Sequence, residues 1–334
     1  MQKSARTSRL AILIFLIVLL AAGVSACAPS DPPETTAPAY LVRYFTDDTE
    51  YHSETVPQGS VATLPPTPVK DGFLFAGWAV GSPEGDDFIP ESYRDSLDTT
   101  IAVYARWKRD AGLMFSFRAD AGGYIVEGWS GKNSDVYIPA RHFLSSAGDY
   151  PVVGIAPYAF SYDSARLNVL TSVVFAPDSA VRYIGQFAFR DQPELSEIAL
   201  PSTLRQLHTG AMQGCAALVR VALPDALEII AESAFADCTS LSEVTVSTEA
   251  ALQTIGANAF RATALTSLRL PAAVSMIGAF AFLNCAELTE VSLPSPHAVW
   301  TLTRGIERRT LELTDNIAVE LTNTYVAYEW APQV

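Results

Sequence analysis

Between about residues 155 and 294 the hydrophobic pattern returns six times to one form: an apolar residue, three variable positions, Ala, then a large apolar residue. The copies run 155–160, 184–189, 207–212, 230–235, 255–260 and 277–282, and the third closes on Met212 where the others close on Phe. Successive closing residues lie 29, 23, 23, 25 and 22 positions apart. Self-similarity at such a period predicts a stacked-repeat solenoid.

Each unit has a second half. A small residue three positions past the Phe leads to a Leu and then to a short apolar alternation. Examples are Leu195-Ser-Glu-Ile198-Ala-Leu200-Pro201, Leu218-Val-Arg-Val221-Ala-Leu223-Pro224 and Leu288-Thr-Glu-Val291-Ser-Leu293-Pro294, while Val244 to Val246 ends on Ser247 instead. Period-two alternation over so few residues predicts a short strand. The Pro stops it, because Pro has no N–H for the ladder. Apolar pairs follow at Leu204/Leu207, Leu227/Ile230, Leu252/Ile255 and Val274/Ile277. No single unit can bury these residues, but stacking at ~4.8 Å per layer lets each cover its neighbour's. The expected fold is mainly β with short helical or irregular turns: a solenoid preceded by a small β-rich domain.

The recurring form Leu-x-x-Val-x-Leu-Pro, Ile-Gly-x-x-Ala-Phe, x-x-Cys-x-x-Leu resembles the BspA-type, or Treponema pallidum-type, leucine-rich repeat. With its flanks the resemblance covers about 109–334. Gly122-Gly-Tyr-Ile-Val-Glu-Gly128, Val136-Tyr-Ile-Pro139 and Val152-Val-Gly-Ile155 are similar to that family's lead-in. The resemblance implies a curved solenoid on a secreted or surface-displayed protein, often an adhesin or interaction module.

The N-terminus reads as an export signal. Lys3, Arg6 and Arg9 precede an apolar run from Leu10 to Ala22, then Val24-Ser25-Ala26-Cys27. That string resembles a bacterial lipobox, which implies cleavage before Cys27 and lipid on its thiol. The alternative is a transmembrane anchor, for which the uncharged run to Ala26 is at the short edge of the ~17–25 residues needed. Acyl chains at about 0.8 kcal/mol per buried CH2 would hold the protein on a membrane. Ala28, where Asp would signal retention, implies by the habit of Gram-negative lipoproteins movement to the outer membrane. The expected organisation is a signal peptide over 1–26, a Pro-rich tether over 27–39, a β domain over 40–108, an N-terminal cap over 109–154, repeats over 155–296 and a C-terminal cap over 297–334. In the β domain, Gly72-Phe-Leu-Phe-Ala-Gly-Trp78 and Val103-Tyr-Ala-Arg-Trp107 resemble the Listeria–Bacteroides repeat, the internalin B-repeat family, with an acidic insert over 81–95. Together the two resemblances imply a leucine-rich-repeat solenoid preceded by a small β-grasp-like domain. Trp78 and Trp107 are expected in the core of so small a domain; the other reading is a glycan-stacking platform.

The formal charge of −14 over 334 residues disfavours nucleic acid, which needs a basic patch, and direct electrostatic docking on anionic lipid. Candidate chemistry adds little. His52, His142, His208 and His297 are scattered without metal-ligand spacing. No nucleophile elbow or phosphate-binding loop is present in the sequence. The acid pairs Asp47/Asp48 and Asp86/Asp87 read as solvated turns. No catalysis, metal or cofactor is expected. Cys215, Cys238 and Cys285 occupy equivalent repeat positions, where Gln192 and Thr263 stand in other units, so a buried filler is expected there and not sulfur chemistry. Whether Cys215 and Cys238 pair depends on Cβ directions.

Positions flanking the central residue of each strand point outward. The expected outward column is Ser172/Val174, Glu197/Ala199, Arg220/Ala222, Glu243/Thr245, Ser267/Arg269 and Glu290/Ser292. Two readings stand: a solvated face with weak cross-strand ion pairs, or a partner surface using Glu197, Arg220, Glu243, Arg269 and Glu290. A second row before Ile-Gly comprises Tyr183, Gln206, Ile229, Thr254 and Met276, and exposed apolar surface at Tyr183, Ile229 and Met276 would mark an interaction site. The expected function is protein–protein interaction or adhesion by a lipid-anchored envelope protein on the outer surface. Its partner would be a protein on a host or neighbouring cell, with the membrane reached through Cys27. The alternative is a carbohydrate-binding or structural envelope module acting on a glycan through the β domain.

Overall fold

The structure, a computed structural model, describes residues 38–96, 99–131, 133–162, 169–292, 299–312 and 326–332. The signal-like segment, Cys27 and nearly all of the Pro-rich stretch lie outside the described residues, as do 293–298 and 317–321. From Ala39 on, the chain clusters as one unit.

Alternation in the first segment produces β1 (Ala39–Thr46), which buries Tyr40, Val42 and Tyr44. It is joined by β2 (Thr49–Pro57), β3 (Phe73–Val80) and β4 (Thr100–Arg109). Their order is β2-β1-β4-β3, with β1 and β4 parallel at the centre and antiparallel hairpins outside. That is the sheet of a β-grasp. Among the described residues no α-helix accompanies it; a single 3-10 turn, Pro90–Tyr93, lies between β3 and β4. Gly77, at φ 109°, sits at a bulge in β3 that turns Trp78 inward. Trp78 is buried, edge-on to Tyr44 and Phe75 at 5.0 and 5.2 Å. Trp107 is half-buried against the same core. The core expectation therefore describes Trp78, and its ring offers no open face for a sugar. Leu74, from β3, packs instead into the core of the repeat array.

The lead-in forms the first end of the solenoid. The hairpin of β5 (Leu113–Arg118) and β6 (Gly123–Trp129) lays β6 parallel to β9 (Gly148–Ile155). Strand β7 (Asp135–Ile138) starts the outward face, and β8 (Arg141–Leu144) pairs with β9.

Each repeat then contributes two strands. The face strands are β10 (Ser172–Phe175), β12 (Glu197–Ala199), β14 (Arg220–Ala222), β16 (Glu243–Thr245), β18 (Ser267–Arg269) and β20 (Glu290–Ser292). Between them lie two-residue strands: β11 (Tyr183–Ile184), β13 (Gln206–Leu207), β15 (Ile229–Ile230), β17 (Thr254–Ile255) and β19 (Met276–Ile277). These short strands pair in parallel, one coil to the next, and extend β9 into a sheet of 12 strands running the length of the array. The face strands separate into β12-β10-β7, β14-β16 and β18-β20. A third ladder joins the corners. The N–H groups of Phe187, Phe189 and Asp191 donate to the carbonyls of Thr209, Ala211 and Gln213 at 2.9, 2.8 and 2.7 Å, and the same pattern recurs from coil to coil.

Two columns of positive φ make these corners irregular and not helical. One holds Tyr158, Phe187, Gly210, Ser233, Asn258 and Phe280; the other holds Asp191, Gly214, Asp237, Ala262 and Asn284. Gly, Asn and Asp suit this conformation, whereas bulky side chains occupy it at a cost of order 1 kcal/mol. The Gly after Ile has a different cause: a Cβ at Gly278 would lie 2.3 Å from the backbone nitrogen of Ala257 in the coil before it.

Inside, the closing Phe side chains stack. Phe160 lies on Phe189 at 5.0 Å, Phe235 on Phe260 at 5.4 Å and Phe260 on Phe282 at 5.5 Å, all within 11° of coplanar. Met212 fills the place between Phe189 and Phe235, a flexible chain in a row of rings. Trp129 tilts over Phe160 at 6.1 Å and covers the open end of the column. At the other end β21 (Val299–Arg304), β22 (Glu307–Glu312) and β23 (Glu329–Pro332) form antiparallel pairs, and β23 meets β19 at Ile277 and Trp330. Trp300 and Trp330 are buried there, and Glu329–Pro332 of the closing segment is strand.

His142 reports on the first cap. Its ring stacks on Phe115 at 3.9 Å and meets Tyr124 edge-on. Burial pushes its pKa below the usual 6.5, against a weaker upward pull from Asp110 and Asp149. Burial lowers His208 as well. The unfolded chain then takes up protons as pH falls through about 6.5, before the folded chain does, so stability held above that pH is lost below it. Thermal melts between pH 8 and pH 5 should show a Tm that is level at the upper end and falls towards the lower. His142→Phe should flatten the fall, and an identical slope in the variant would remove His142 as its source.

Candidate partner-binding face

In a parallel ladder the side chains of one strand face repeat in straight columns. The register aligns Ser172 with Glu197, Arg220 with Glu243, and Ser267 with Glu290. Glu197, Arg220, Glu243, Arg269 and Glu290 are all exposed, and the central Ile198, Val221, Val244, Leu268 and Val291 are buried. The five charged residues thus share one face. Among the described residues no cross-strand ion pair forms on it: Arg220 and Glu243 are direct ladder neighbours, yet neither makes an ion pair within 4.0 Å. Glu290 accepts from Ser292 Oγ at 2.7 Å. The array's ion pairs lie elsewhere, at Arg205–Glu228, Arg190–Asp191 and Arg261–Asp237. Where the ladder opens between β16 and β18, a groove of about 610 Å3 carries Glu243 on one wall and Arg269 on the other.

The second row is only partly open. Met276 is 40% exposed. Tyr183 and Ile229 are half-buried, and Gln206 and Thr254 separate the three apolar side chains. The Tyr183 ring covers Gly154, where a Cβ would lie 2.2 Å from its Cζ, and meets His208 edge-on at 5.9 Å. This row is part of the wall of the solenoid and not a continuous apolar stripe.

Two features were not read from the sequence. At the first corners Tyr158 and Phe187 lie 5.4 Å apart with Arg190 over both rings. Aromatic residues where other units place Gly, Ser or Asn were the signal. The other is a hollow beside Lys108 and Arg109, at the end of β4. Two adjacent cations in an acidic chain marked it.

The cysteine row has a structural role. The thiols of Cys215, Cys238 and Cys285 donate to the carbonyls of Phe189, Met212 and Phe260, each in the preceding coil, at 3.2, 3.1 and 3.0 Å. Gln192 performs the same task, donating to the Phe160 carbonyl at 2.6 Å while accepting from the Leu170 N–H at 2.8 Å. Thr263 donates to Phe260 in its own coil at 2.9 Å. The row supplies a compact donor to a buried carbonyl, which would otherwise be costly. All three cysteines are free thiols. Proximity to Cys238 and burial push the Cys215 pKa well up, and burial does the same at Cys285. Among the described residues no three His, Cys, Asp or Glu side chains converge as metal ligands do.

Residues 154–289 and 253–300 match the model of the BspA type leucine rich repeat region, which has six copies. The repeat array is similar to that family. No curated protein matches the chain. Among solved structures, this chain is similar to a leucine rich cell surface protein of Faecalibacterium prausnitzii A2-165. The identity is 26% over 59% of this chain and 58% of that one, with a TM-score of 0.43. A leucine-rich repeat protein of Bacteroides ovatus matches at 24% identity over 55% of this chain and 40% of that one, with a TM-score of 0.41. The leucine rich repeat protein of T. pallidum matches at 30% identity over 54% of this chain and 78% of that one, with a TM-score of 0.46. The chain thus spans 58% and 40% of the lengths of the first two.

Buried, protonated thiols react slowly with alkylating reagents. Native protein treated with iodoacetamide should leave Cys215, Cys238 and Cys285 unmodified by peptide mass, and denaturation should release all three. Labelling of Cys238 in the native state would contradict its packing.

Proposed function

We propose that this chain is a non-catalytic protein-binding module of the cell envelope. The BspA-type array is its platform, and a lipid on Cys27 is its tie to the membrane. The observation that carries the reading is the alternation of Glu197, Arg220, Glu243 and Arg269, exposed on one face and, among the described residues, without ion pairs. Charges that are not consumed by one another are open to a complementary surface, and charge pattern sets specificity and encounter rate. In this organisation 1–26 is the signal, 27–39 the tether, 40–108 the β domain, 109–154 and 297–334 the caps, and 155–296 the repeats. The partner is a protein on a host or neighbouring cell.

Two experiments test the two halves of the proposal. Arg220→Glu, Glu243→Lys, Arg269→Glu and Glu290→Lys are surface changes expected to move stability by no more than about 0.5 kcal/mol. On intact cells, protease should remove the array, and photo-crosslinkers placed on the face should capture one partner that the reversals release. Protection of the array, or capture indifferent to all four reversals, would end the host-contact reading. Separately, cells fed an alkyne-tagged fatty acid should label the wild type and not Cys27→Ala, and the wild type should partition into detergent. Equal labelling of both would dismiss Cys27 as the anchor.

A further inference from the structure

The outward face does not end freely at its N-terminal side. Beside β7 and β10 a hollow of about 230 Å3 lies between the face and the end of β4, lined by Lys108, Arg109, Asn133, Asp135, Ser172 and Val174 among others. A second hollow of about 350 Å3 shares Arg109 and Asn133 and reaches Phe73 and Asp110. Ser172 and Val174 are also the first pair of the outward column on β10, so the hollow continues the face.

Its charges are unequally satisfied. Asp135 accepts from Thr171 Oγ1 at 2.7 Å and Ser172 Oγ at 2.8 Å, and these bonds hold its carboxyl below the usual range. Asp110 accepts from the backbone N–H groups of Gly112 and Leu113 at 2.8 and 3.1 Å. Both carboxylates are thereby occupied by internal donors. Lys108 and Arg109 are exposed and, among the described residues, neither makes an ion pair or a side-chain hydrogen bond. The carboxylates keep their charge, but the first hollow, lined by Lys108 and Arg109 against the single carboxylate of Asp135, is net positive in a chain of formal charge −14. Val174, 46% exposed, and Phe73, 38% exposed, add apolar wall beside it. The first hollow is below the ~300–1,000 Å3 of sites for drug-sized ligands, and it suits one side chain.

We propose that this hollow takes a glutamate or aspartate side chain of a protein partner, anchoring that partner at the N-terminal end of the face. The inference rests on the reading of the face as a protein-binding surface. Methylene groups lie against Val174, and the carboxylate meets Lys108 and Arg109, an interaction strengthened by charge on both sides.

The test uses the full chain and two rhodamine-labelled peptides, Gly-Glu-Val-Glu-Gly and its Gln counterpart, followed by fluorescence anisotropy at low salt. The Glu peptide should bind about fivefold more tightly, the scale of partly exposed ion pairs. High salt should erase the preference. The double change Lys108→Ser/Arg109→Ser should abolish it, and Lys108→Arg/Arg109→Lys should keep it. Equal binding of the two peptides, or a preference that survives the Ser changes, overturns the proposal. A preference lost on Arg220→Glu and Arg269→Glu but kept in the Ser variant also overturns it, moving the contact to the middle of the face. A preference that needs Lys108 and Arg109, with partner capture indifferent to the four face reversals, supports the hollow as a carboxylate site and sinks the reading of the wider face.

Discussion

A coil of this size cannot satisfy its own backbone, and everything else in the array depends on that. Its strands are two to four residues long, and its corners turn through left-handed residues. The N–H groups at Phe187, Phe189 and Asp191 therefore find acceptors only in the next coil, as do those at Ser233, Phe235 and Asp237. Apolar side chains obey the same rule, since Phe235, Phe260 and Phe282 bury one another and not residues of their own turn alone. Interactions that exist only between neighbours make stability nearly one-dimensional. The two ends then require special pieces: Trp129 with the β5–β6 hairpin on one side, Trp300 and Trp330 on the other.

The same constraint explains which positions carry chemistry and which do not. A repeat position that touches the next coil is held to a narrow role. The Cys, Gln and Thr row must place a donor near a Phe carbonyl, so Cys215 and Gln192 are equivalent despite their different chemistry. Outward positions have no such duty. Arg220 and Glu243 stand side by side without pairing because an exposed ion pair gains about 0–1 kcal/mol at most against the hydration and freedom of both side chains. That indifference of the fold makes the face available for recognition. The corner aromatics differ: Tyr158 and Phe187 adopt a conformation that disfavours them while packing on each other and under Arg190.

Repeat number, inward rows and strand phase could be read from residues alone, because the Ile, Ala, Phe and Leu positions recur with their burial. The charged column from Glu197 to Glu290 was legible for the same reason: period-two alternation assigns each side chain a side. The two-residue strands were not, since two residues carry no period, and Gln206 or Thr254 reveals itself as strand only beside its neighbours. The 3-10 turn and helix-free crossover of the first sheet were hidden in a stretch rich in turn residues.

The sequence by itself determined a solenoid of leucine-rich coils behind a β sheet, with an acidic balance and buried thiols, because local periodicity dictates which side chains must leave water. Only the tertiary structure decided how the charges are used. It left the ladder neighbours Arg220 and Glu243 apart, occupied Asp135 and Asp110 with hydroxyl and backbone donors, and set Lys108 and Arg109 beside Val174 with no ion pair among the described residues. Those outcomes depend on distances between residues far apart in the chain, which no spacing along it records.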